Sequence, residues 1–426
     1  MTRVIAVDLG ATSARVARVD LDVLRVEVVH RYAHEPVGDR WDWARLVAEV
    51  EYGLERAGPA ASIGIDTWGV DYGLLGADGV LLSSPHAYRS ERTRGWRDVV
   101  DRIGAEHLYR TTGIQLMQIN TIFQLAAHDR DELAKARQLL MLPELLVHAL
   151  TGEVHGERTS AGTSALVDLV TGDWSGDLLD AIGVDAAIMP TIEPAGAAAG
   201  SWRGIPVHLV GGHDTASAVA AMPVRGPSGR LSGEQGAAFV SSGTWMLVGA
   251  ERPEPMLADA TFSNEPGVAG GVRLLKNVMG LWMLERCRAQ WGDPPLDDLL
   301  LAAGEVDDVP LIDARDGRFL APADMEAEIR AAGLGAGGGP EVVTRCILRS
   351  LAASAAQVID ELGDVPEIVV IGGGAQNALL NRLLEDATGL PVRVGPTEAT
   401  ALGNALVQGI ALGVYADLDD ARSCVL

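Results

Sequence analysis

The chain has few cysteines and no long run of hydrophobic residues. Its three cysteines, Cys287, Cys346 and Cys424, are far apart and include no Cys-x-x-Cys pair. An odd number of scattered thiols predicts neither a disulfide framework nor a zinc site and is typical of a protein in the reducing cytosol. No stretch approaches a run of about 18 uninterrupted apolar residues, the length that spans a bilayer. The amino-terminal run VIAV ends at Asp8, so we expect no signal peptide, no membrane partner and a cytoplasmic protein.

Positive charge is also scarce. The 34 Lys and Arg residues against 58 Asp and Glu residues give a net charge of −24. Such a chain repels nucleic-acid backbones and anionic membranes at long range, and no block of Lys and Arg offsets this, so we expect no nucleic-acid partner. ATP remains compatible with this charge, because backbone N–H groups and Mg²⁺ bind its phosphates. Aromatic residues make up only 4% of the chain, which predicts an aliphatic core.

The first part of the chain alternates strands and helices. Its 426 residues exceed one compact core, and about 100–200 residues per domain predicts two or three domains. The opening VIAVDLGATSARVARVDLD predicts a strand over Val4 to Asp8, a glycine turn and a strand over Arg15 to Asp20, with LRVEVVHRY completing an antiparallel meander. Apolar spacing predicts a helix over Trp41 to Ala57, and SIGIDTWGVDYGLL reads as a further strand. This alternation indicates an α/β fold.

The later segments repeat that theme. Helices dominate between Arg97 and Ala149, GERTSAGTSALVDLVTGDW suggests a loop and a strand, and IPVHLVGGHDTASAVAAM predicts a buried strand, a glycine turn and a helix from Asp214. Met222 to Gly236 is rich in Gly, Pro and Ser, which predicts a linker. After it, AAFVSSGTWMLVG resembles the opening hairpin, and EIVVIGGGAQNALLNRLLEDATGLPVRV predicts strand, glycine turn, helix and strand, so the chain has two related halves. TEATALGNALVQGIALGVY predicts a final helix, and Ala331 to Pro340 a loop.

Four glycine-containing turns follow predicted strands: DLGAT, GGHDTAS, SSGTW and GGGAQN. Such turns expose consecutive backbone N–H groups that bind phosphate oxygens. Each alone is equally an ordinary connection, but four in two related halves favour phosphate chemistry. None matches the P-loop or the dinucleotide-binding pattern, so neither of those folds is indicated.

The order of several motifs resembles the FGGY carbohydrate kinases. These are DLGATS, IDTWGVDYGLL, AYRSERTRG, GIQLMQINT, GGHDTASAV, SSGTWMLVG, KNVMGLWMLER and GGGAQNALLNRLLEDATG, from about Val4 to about Leu412. The resemblance implies an α/β enzyme of two lobes, each with an actin-like ATPase (ribonuclease H-like) fold, with a cleft between them. It implies an N-terminal lobe, residues 1–228, that holds the sugar and the catalytic base, and a C-terminal lobe, residues 229–426, that binds ATP. IDTWGVD, GHDTASAV and KNVMGLW point to the branch that phosphorylates the 1-hydroxyl of L-rhamnulose with ATP and Mg²⁺.

Two aspartates carry the chemistry that this resemblance implies. Asp214 follows a predicted buried strand and a Gly-Gly turn, where its carboxylate could accept the proton of the attacking sugar hydroxyl. The alternative is a helix N-cap, a position that Asp favours. Asp8 is the expected Mg²⁺ residue and is expected to bind the ion through water, because Mg²⁺ keeps several waters and binds few carboxylates. The alternative for Asp8 is a turn-forming aspartate.

The remaining expected contacts follow the family motifs. The ATP-binding residues are Ala11, Thr12, Ser13, Ala14, Arg15, Thr244, Gly372, Gly373 and Gly374. The sugar-binding residues are Gly69, Trp68, Asp71, His213, Asp214, Thr215 and Asn277. Arg15 is equally a strand-surface residue, Trp68 is equally a core residue, and Asn277 is equally the cap of the helix NVMGLWMLER.

The chain departs from the family pattern at two positions. Glu285 stands where members often carry Gln near the nucleotide, and Ala14 replaces a Gly in the first phosphate turn. The alternative functions are a kinase for another ketose, such as L-fuculose or xylulose, and a non-catalytic sugar sensor. A sensor of this kind usually carries a DNA-binding module, and the sequence shows no helix-turn-helix extension and no basic face. The sequence leaves a monomer and a homodimer both open.

Overall fold

The computed structural model describes residues 2–223 and 236–425. Its strands, in chain order, are β1 (Arg3–Leu9), β2 (Ser13–Asp20), β3 (Arg25–Ala33), β4 (Ser62–Thr67), β5 (Tyr72–Leu75), β6 (Gln138–Met141), β7 (Gly156–Glu157), β8 (Ile192–Glu193), β9 (Ala198–Trp202), β10 (Ile205–His208), β11 (Ala238–Ser242), β12 (Trp245–Arg252), β13 (Ser263–Pro266), β14 (Val272–Met279), β15 (Ile368–Ile371) and β16 (Val392–Val394). Its α-helices are α1 (Trp43–Ala57), α2 (Trp96–Ile103), α3 (Ala105–Thr112), α4 (Thr121–Ala126), α5 (Arg130–Lys135), α6 (Leu142–Thr151), α7 (Arg158–Gly162), α8 (Gly176–Ile182), α9 (Asp214–Ala220), α10 (Trp282–Gln290), α11 (Leu296–Gly304), α12 (Met325–Ile329), α13 (Pro340–Leu362), α14 (Ala378–Thr388), α15 (Ala399–Ala411) and α16 (Leu418–Ser423).

The chain divides into two compact units. Unit 1 comprises Met1–Leu231, Arg252–Leu274 and Glu398–Leu426, and unit 2 comprises Ser232–Glu251 and Leu275–Thr397. Two segments after residue 228 therefore belong to unit 1, although the predicted boundary assigned them to the C-terminal lobe. The predicted boundary at residues 228 and 229, with most of the predicted linker, lies outside the described residues.

Long-range hydrogen bonds join the end of the chain to unit 1. The amide of Gln408 in α15 donates to the backbone oxygen of Ile5 in β1 at 3.0 Å. Asn404, one turn earlier, donates to Asp66 in β4 at 2.6 Å. Close packing adds to these bonds, because a Cβ atom at Gly403 would lie 1.7 Å from the backbone oxygen of Ser217 in α9. Contacts between residues so far apart in the chain are invisible to a local sequence pattern.

The main sheet of unit 1 has the strand order β3-β2-β1-β4-β10-β9 within the described residues. The predicted antiparallel meander is confirmed, since β2 pairs antiparallel with both β1 and β3. β1 also pairs parallel with β4, and this register places Asp8 opposite Asp66. As a central strand, β1 is buried from Val4 to Leu9, which explains its continuous apolar run.

The helix predicted over Trp41 to Ala57 is confirmed as α1, although it begins at Trp43. Asp42 caps it by accepting a hydrogen bond from the backbone N–H of Arg45. The further strand predicted over SIGIDTWGVDYGLL is interrupted, because β4 ends at Thr67 and β5 begins at Tyr72. Val70 in the interruption has φ 69°, a left-handed conformation that a strand cannot contain.

Unit 2 contains most of a second sheet, with the order β13-β14-β12-β11-β15-β16 among the described residues. β11 and β12 form an antiparallel hairpin, and β15 pairs parallel with both β11 and β16. The predicted strand–turn–strand and strand–turn–helix–strand segments are therefore confirmed. Each sheet sets a hairpin beside a parallel strand, which supports the prediction of two related halves.

Helix α13 is long and apolar enough to cross a bilayer by length and composition alone. Of its most apolar window, 67% is buried inside the protein, which is the ordinary environment of a core helix. Two local predictions were wrong. The helical segment Arg330–Leu334 overlaps the start of the loop predicted over Ala331 to Pro340. The GERTSAG part of the predicted loop-and-strand segment forms β7 and α7.

Candidate active site

In the turn before α9, the backbone at Gly211 and Gly212 passes very close to neighbouring atoms. A Cβ atom at Gly212 would lie 3.0 Å from Glu157 Oε2, and one at Gly211 would lie 3.0 Å from the backbone nitrogen of Ser217. The two glycines therefore let the chain pass from the sheet into α9 in very little space. This turn holds Asp214 at the first position of the helix.

The N-cap alternative for Asp214 is wrong. The N-cap of α9 is His213, and its side chain makes no capping hydrogen bond. Asp214 Oδ1 instead accepts a hydrogen bond from the hydroxyl of Thr215 at 3.1 Å. The side chain of Asp214 is 28% exposed, so its carboxylate is open to a small molecule from solvent.

Two further carboxylates of unit 1 lie near Asp214 and are almost completely buried. Asp8 is 1% exposed and Asp66 is 0% exposed. One oxygen of each, Oδ1, has no hydrogen-bond partner among the described residues. Burial raises the pKa of Asp8 to about 6, with Arg15 opposing the rise and Asp214 adding to it. Burial also raises the pKa of Asp66 well above its usual value, and the negative charge of Asp8 adds to this.

The sequence prediction missed Asp66. Like Asp8, it is an acid near the end of an apolar strand, IGID beside IAVD, so the signal was present. What the sequence did not show is that β1 and β4 are parallel neighbours, which sets the two side chains on one face of the sheet.

Arg15 forms ion pairs with two acidic residues of unit 1. Its Nη2 and Nε lie 2.7 Å and 2.8 Å from Asp8 Oδ2. Its Nε also lies 3.0 Å from an oxygen of Glu398. Of the other residues predicted to approach ATP phosphates, Ala14 is completely buried in β2, and Ala11 and Thr12 form the turn in which the N–H of Gly10 donates to the oxygen of Ser13.

The carboxylate of Asp71 binds and orients two indole rings. Its Oδ2 accepts hydrogen bonds from the indole nitrogens of Trp41 at 2.7 Å and Trp68 at 2.9 Å. Its Oδ1 accepts from the side-chain amide of Gln124 at 3.2 Å. Both oxygens are thus occupied by protein donors, and Asp71 is buried. Trp68 stacks on His34 with 5.3 Å between ring centroids. These contacts favour an indirect role for Asp71, through Trp68, over the direct sugar contact that the motif predicted.

The structure brings several of the predicted sugar residues together. A Cβ atom at Gly69 would lie 3.3 Å from Cδ2 of His213, which precedes Asp214 and Thr215. Asn277 lies within β14, in the part of the chain that belongs to unit 2. The capping alternative for Asn277 is wrong, because α10 begins only at Trp282.

The predicted nucleotide turns of unit 2 pack around one serine. Gly372 has φ 85°, and a Cβ atom there would lie 2.8 Å from the backbone oxygen of Ser242. A Cβ atom at Gly374 would meet the Ser242 hydroxyl oxygen. Ser242 directly precedes the Gly243–Thr244 turn, so the two predicted turns are neighbours. Glu285 is an exposed residue of α10.

Two buried glutamates form hydrogen bonds at or next to the turn before Asp214. Glu157 Oε2 accepts hydrogen bonds from the backbone N–H of Gly212 at 3.0 Å and from the hydroxyl of Thr159 at 2.6 Å. Glu144 Oε1 accepts from the hydroxyl of Ser160 at 2.6 Å. The sequence prediction missed both acids, since nothing local distinguishes them from surface glutamates.

We expect Glu144→Gln to flatten the pH dependence of stability. Burial raises the pKa of Glu144 from 4.5 to about 8, with the charge of Glu157 adding to the shift. Between these values the folded protein holds a proton that the unfolded chain releases. The free energy of unfolding should therefore fall as the pH rises through this window, by about 1.4 kcal/mol per pH unit for this one group.

Urea denaturation of both proteins between about pH 5 and pH 8 measures this effect. Acids remote from Glu144 titrate alike in the two proteins, so the difference between the curves reports Glu144 together with its interaction with Glu157. Glutamine retains the oxygen that accepts from Ser160 and has no proton to lose. Parallel curves would show that Glu144 is ionised in the folded protein.

Comparisons with known proteins define the class to which this fold and site belong. The N-terminal domain of the FGGY family of carbohydrate kinases matches residues 3–219, and the C-terminal domain of that family matches residues 238–412. The chain belongs to the FGGY family of carbohydrate kinases. Within that family its sequence is similar to the rhamnulokinase of Bacteroides thetaiotaomicron, at 38% identity with 99% of this chain and 93% of that protein covered. A rhamnulokinase of Klebsiella pneumoniae is 38% identical, with 99% of this chain and 92% of that protein covered.

Solved structures of other carbohydrate kinases share the fold. The ligand-bound xylulose kinase from Lactobacillus acidophilus superposes with a TM-score of 0.80 at 16% identity, covering 100% of this chain and 92% of that chain. Plasmodium falciparum glycerol kinase with ADP has a TM-score of 0.76 at 14% identity, covering 99% and 92%. At these identities the likeness shows the fold alone. The predicted family, the actin-like α/β fold class and the assignment to carbohydrate kinases are confirmed.

Proposed function

We propose that this protein transfers the γ-phosphoryl group of ATP to the 1-hydroxyl of L-rhamnulose, giving L-rhamnulose 1-phosphate and ADP. The observation that carries the proposal is Asp214, a partly exposed carboxylate fixed at the start of α9 by a two-glycine turn. The similarity to rhamnulokinases over 99% of the chain supports this choice of sugar. The same similarity and the scattered cysteines support a cytoplasmic enzyme.

In this proposal Asp214 is the general base. It accepts the proton of the sugar's 1-hydroxyl as that oxygen attacks the γ-phosphorus in line. Little other covalent chemistry is required of the protein, because phosphoryl transfer depends mainly on positioning and charge stabilisation. Thr215, which donates to Asp214 Oδ1, steadies the carboxylate in the position where it meets the hydroxyl.

The sugar contacts are proposed around the same turn. Trp68, Gly69, His213 and Thr215 contact the sugar, with Asp71 orienting Trp68. Asn277 is proposed as a further sugar contact. Trp68 is 5% exposed and stacks on His34, so only the small exposed part of its ring is available to the methyl group of a deoxy sugar. The ATP contacts are proposed at residues 11–15, Thr244 and 372–374, whose turns present backbone N–H groups.

The carboxylates near Asp214 fit a magnesium ion. Asp8 Oδ1 and Asp66 Oδ1 are buried and lack partners among the described residues, which is costly unless a cation or water satisfies them. Within the same residues no cluster of three His, Cys, Asp or Glu side chains could hold a metal. Two carboxylates suffice for Mg²⁺, which binds one or two carboxylates and keeps several waters. Bound there, Mg²⁺ would neutralise charge on the ATP phosphates.

A coupled ADP-release assay over a panel of ketoses, with Mg-ATP, tests the proposal. We expect the highest kcat/KM with L-rhamnulose, and ³¹P NMR of the product should show a phosphate ester at the 1-position. A higher kcat/KM with L-fuculose or xylulose would move the protein to another branch of the family. Absence of sugar-dependent ADP release across the panel would favour the sugar sensor.

A further inference from the structure

Two side-chain amides of helix α15 form a buried hydrogen-bond relay that ends on Asp66. Gln408 Nε2 donates to the backbone oxygen of Ile5 in β1 at 3.0 Å and to Asn404 Oδ1 at 2.7 Å. Asn404 Nδ2 donates in turn to Asp66 Oδ2 at 2.6 Å. Asp66, Asn404 and Gln408 are each 0% exposed, so solvent does not reach these bonds. All of them belong to unit 1, and the relay is therefore internal to one compact body.

The backbone oxygen of Ile5 fixes the direction of the whole relay. A carbonyl oxygen only accepts, so the end of the Gln408 amide that faces Ile5 is its NH₂ group. The second hydrogen of this group points to Asn404, whose side-chain oxygen must therefore face Gln408. The other end of the Asn404 amide, its NH₂ group, then faces Asp66. If either amide turned over, two oxygens would be set against each other in the interior.

Gly64 makes room for the relay on the face of the sheet that carries Asp66. It lies two residues before Asp66 in β4, and alternate residues of a strand share a face. A Cβ atom at Gly64 would collide with Asn404 Oδ1 and would lie 2.8 Å from Gln408 Nε2. The two amides are thus packed tightly against β4, and Asn404 has little freedom to move away from Asp66.

The relay occupies one oxygen of Asp66 and leaves the other. Asp66 Oδ1 is buried and has no hydrogen-bond partner among the described residues, and the same is true of Asp8 Oδ1. Arg15 holds Asp8 by Oδ2, as Asn404 holds Asp66 by Oδ2. Burial raises the pKa of Asp66 well above its usual value, and the hydrogen bond from Asn404 opposes that rise. A neutral amide thus orients the carboxylate without cancelling the charge that attracts a cation.

We propose that Asn404, fixed by Gln408, is a positioning residue that holds Asp66 with Oδ1 available to the magnesium ion and so makes Asp66 the second carboxylate of the site. This inference rests on the magnesium site of the proposed function. A carboxylate that is already held in one orientation loses less conformational freedom when it binds an ion, and residues that hydrogen-bond metal ligands act in this way. Asn404 acts only through Asp66.

Asn404→Leu tests the proposal, because leucine has nearly the volume of asparagine and cannot donate a hydrogen bond. The probe is Mn²⁺, titrated with a non-hydrolysable ATP analogue present and followed by electron paramagnetic resonance. We expect the apparent dissociation constant for Mn²⁺ to rise about 10–100-fold, the range for residues that support metal ligands. In a double-mutant cycle, Asn404→Leu should weaken Mn²⁺ binding no further in the Asp66→Asn background. Wild-type affinity in Asn404→Leu, or a loss of equal size in both backgrounds, would overturn the proposal.

The matched control is Tyr415→Phe. The Tyr415 hydroxyl donates to the backbone oxygen of Leu21 at 2.7 Å, so it also ties the C-terminal segment to the first strands, but it reaches no acid. This variant should bind Mn²⁺ like the wild type, whatever its unfolding midpoint. Weakened Mn²⁺ binding in Tyr415→Phe would show that any loosening of this segment disturbs the site, and the specific role of Asn404 would fall.

A second variant decides if Asn404→Leu does not fold. Gln408→Met removes the donor that fixes the Asn404 oxygen but leaves the Asn404 amide in place. We expect a smaller rise of about 2–10-fold in the dissociation constant for Mn²⁺, which corresponds to one ordinary hydrogen bond. Wild-type affinity in Gln408→Met would show that the orientation of the amide does not matter and would overturn the proposal.

The aspartate variants separate this inference from the proposed function. Wild-type Mn²⁺ affinity in both Asp8→Asn and Asp66→Asn would remove the proposed magnesium site, and the role of Asn404 with it. Weakened binding in Asp8→Asn alone would leave a site without Asp66 and would remove the role of Asn404. Weakened binding in both aspartate variants, beside wild-type affinity in Asn404→Leu, would leave the site in place and remove only the positioning role.

Discussion

Asp214→Asn should fold normally and lose about 10²–10⁴-fold in kcat, the usual contribution of a general base. Asparagine has nearly the same shape, and its side-chain oxygen can still accept the hydrogen bond from Thr215. It cannot take a proton from the sugar hydroxyl. The partly exposed position of the side chain makes a stability effect small, since no buried charge is lost.

Steady-state ADP release at saturating sugar and ATP measures this loss, and the unfolding midpoint checks the fold. Asp177→Asn is the matched control, because Asp177 is an exposed acid in the first turn of another helix, α8. This control should keep wild-type turnover. Turnover of Asp214→Asn within a few-fold of the wild type would exclude Asp214 from the mechanism.

Asp8→Asn should weaken the apparent affinity for the divalent cation by about 10–100-fold, as for substitutions around other metal sites. Asp8 Oδ1 is buried and without a partner among the described residues, whereas Oδ2 is held by Arg15. The substitution removes the negative charge and leaves an amide in its place. Arg15 keeps its second partner, Glu398, so the positive charge of Arg15 is not stranded.

Titration of Mn²⁺ followed by electron paramagnetic resonance, with a non-hydrolysable ATP analogue present, reads this affinity without relying on turnover. Asp66→Asn in the same titration shows whether the neighbouring carboxylate shares the ion. Asp177→Asn removes an exposed carboxyl group of α8 in unit 1 and should bind Mn²⁺ like the wild type. Equal affinity in Asp8→Asn and the wild type would contradict the proposed magnesium site.

The candidate site was predictable where a local pattern carried it. Asp214 could be singled out because a strand, two glycines and a helix leave little freedom for the residue between them. Asp8 followed from the same reasoning at the first hairpin. Asp66 carried the same signal and was missed, because its position next to Asp8 depends on β4 being the parallel neighbour of β1.

Other parts of the site had no local signal at all. Glu265 and Arg273 are charged residues within short strands, and by composition they resemble exposed positions. Their burial and their contact with His213 join segments about fifty residues apart. Asp71 was predicted to contact sugar, yet its oxygens accept from Trp41, Trp68 and Gln124, which only the folded loop brings together.

By itself, the sequence determined the α/β class, most strands and helices, the two related halves, the family and the position of the proposed base. Apolar periodicity and glycine turns act over a few residues, so the chain order suffices to reveal them. Only the tertiary structure decided that helix α15 packs on the first strand and that Asp8 and Asp66 lie side by side. It also decided that the buried Glu265–Arg273 ion pair contacts His213. Strand order and long-range contacts determine which charged residues lie together in the interior, and neither can be read from a local pattern.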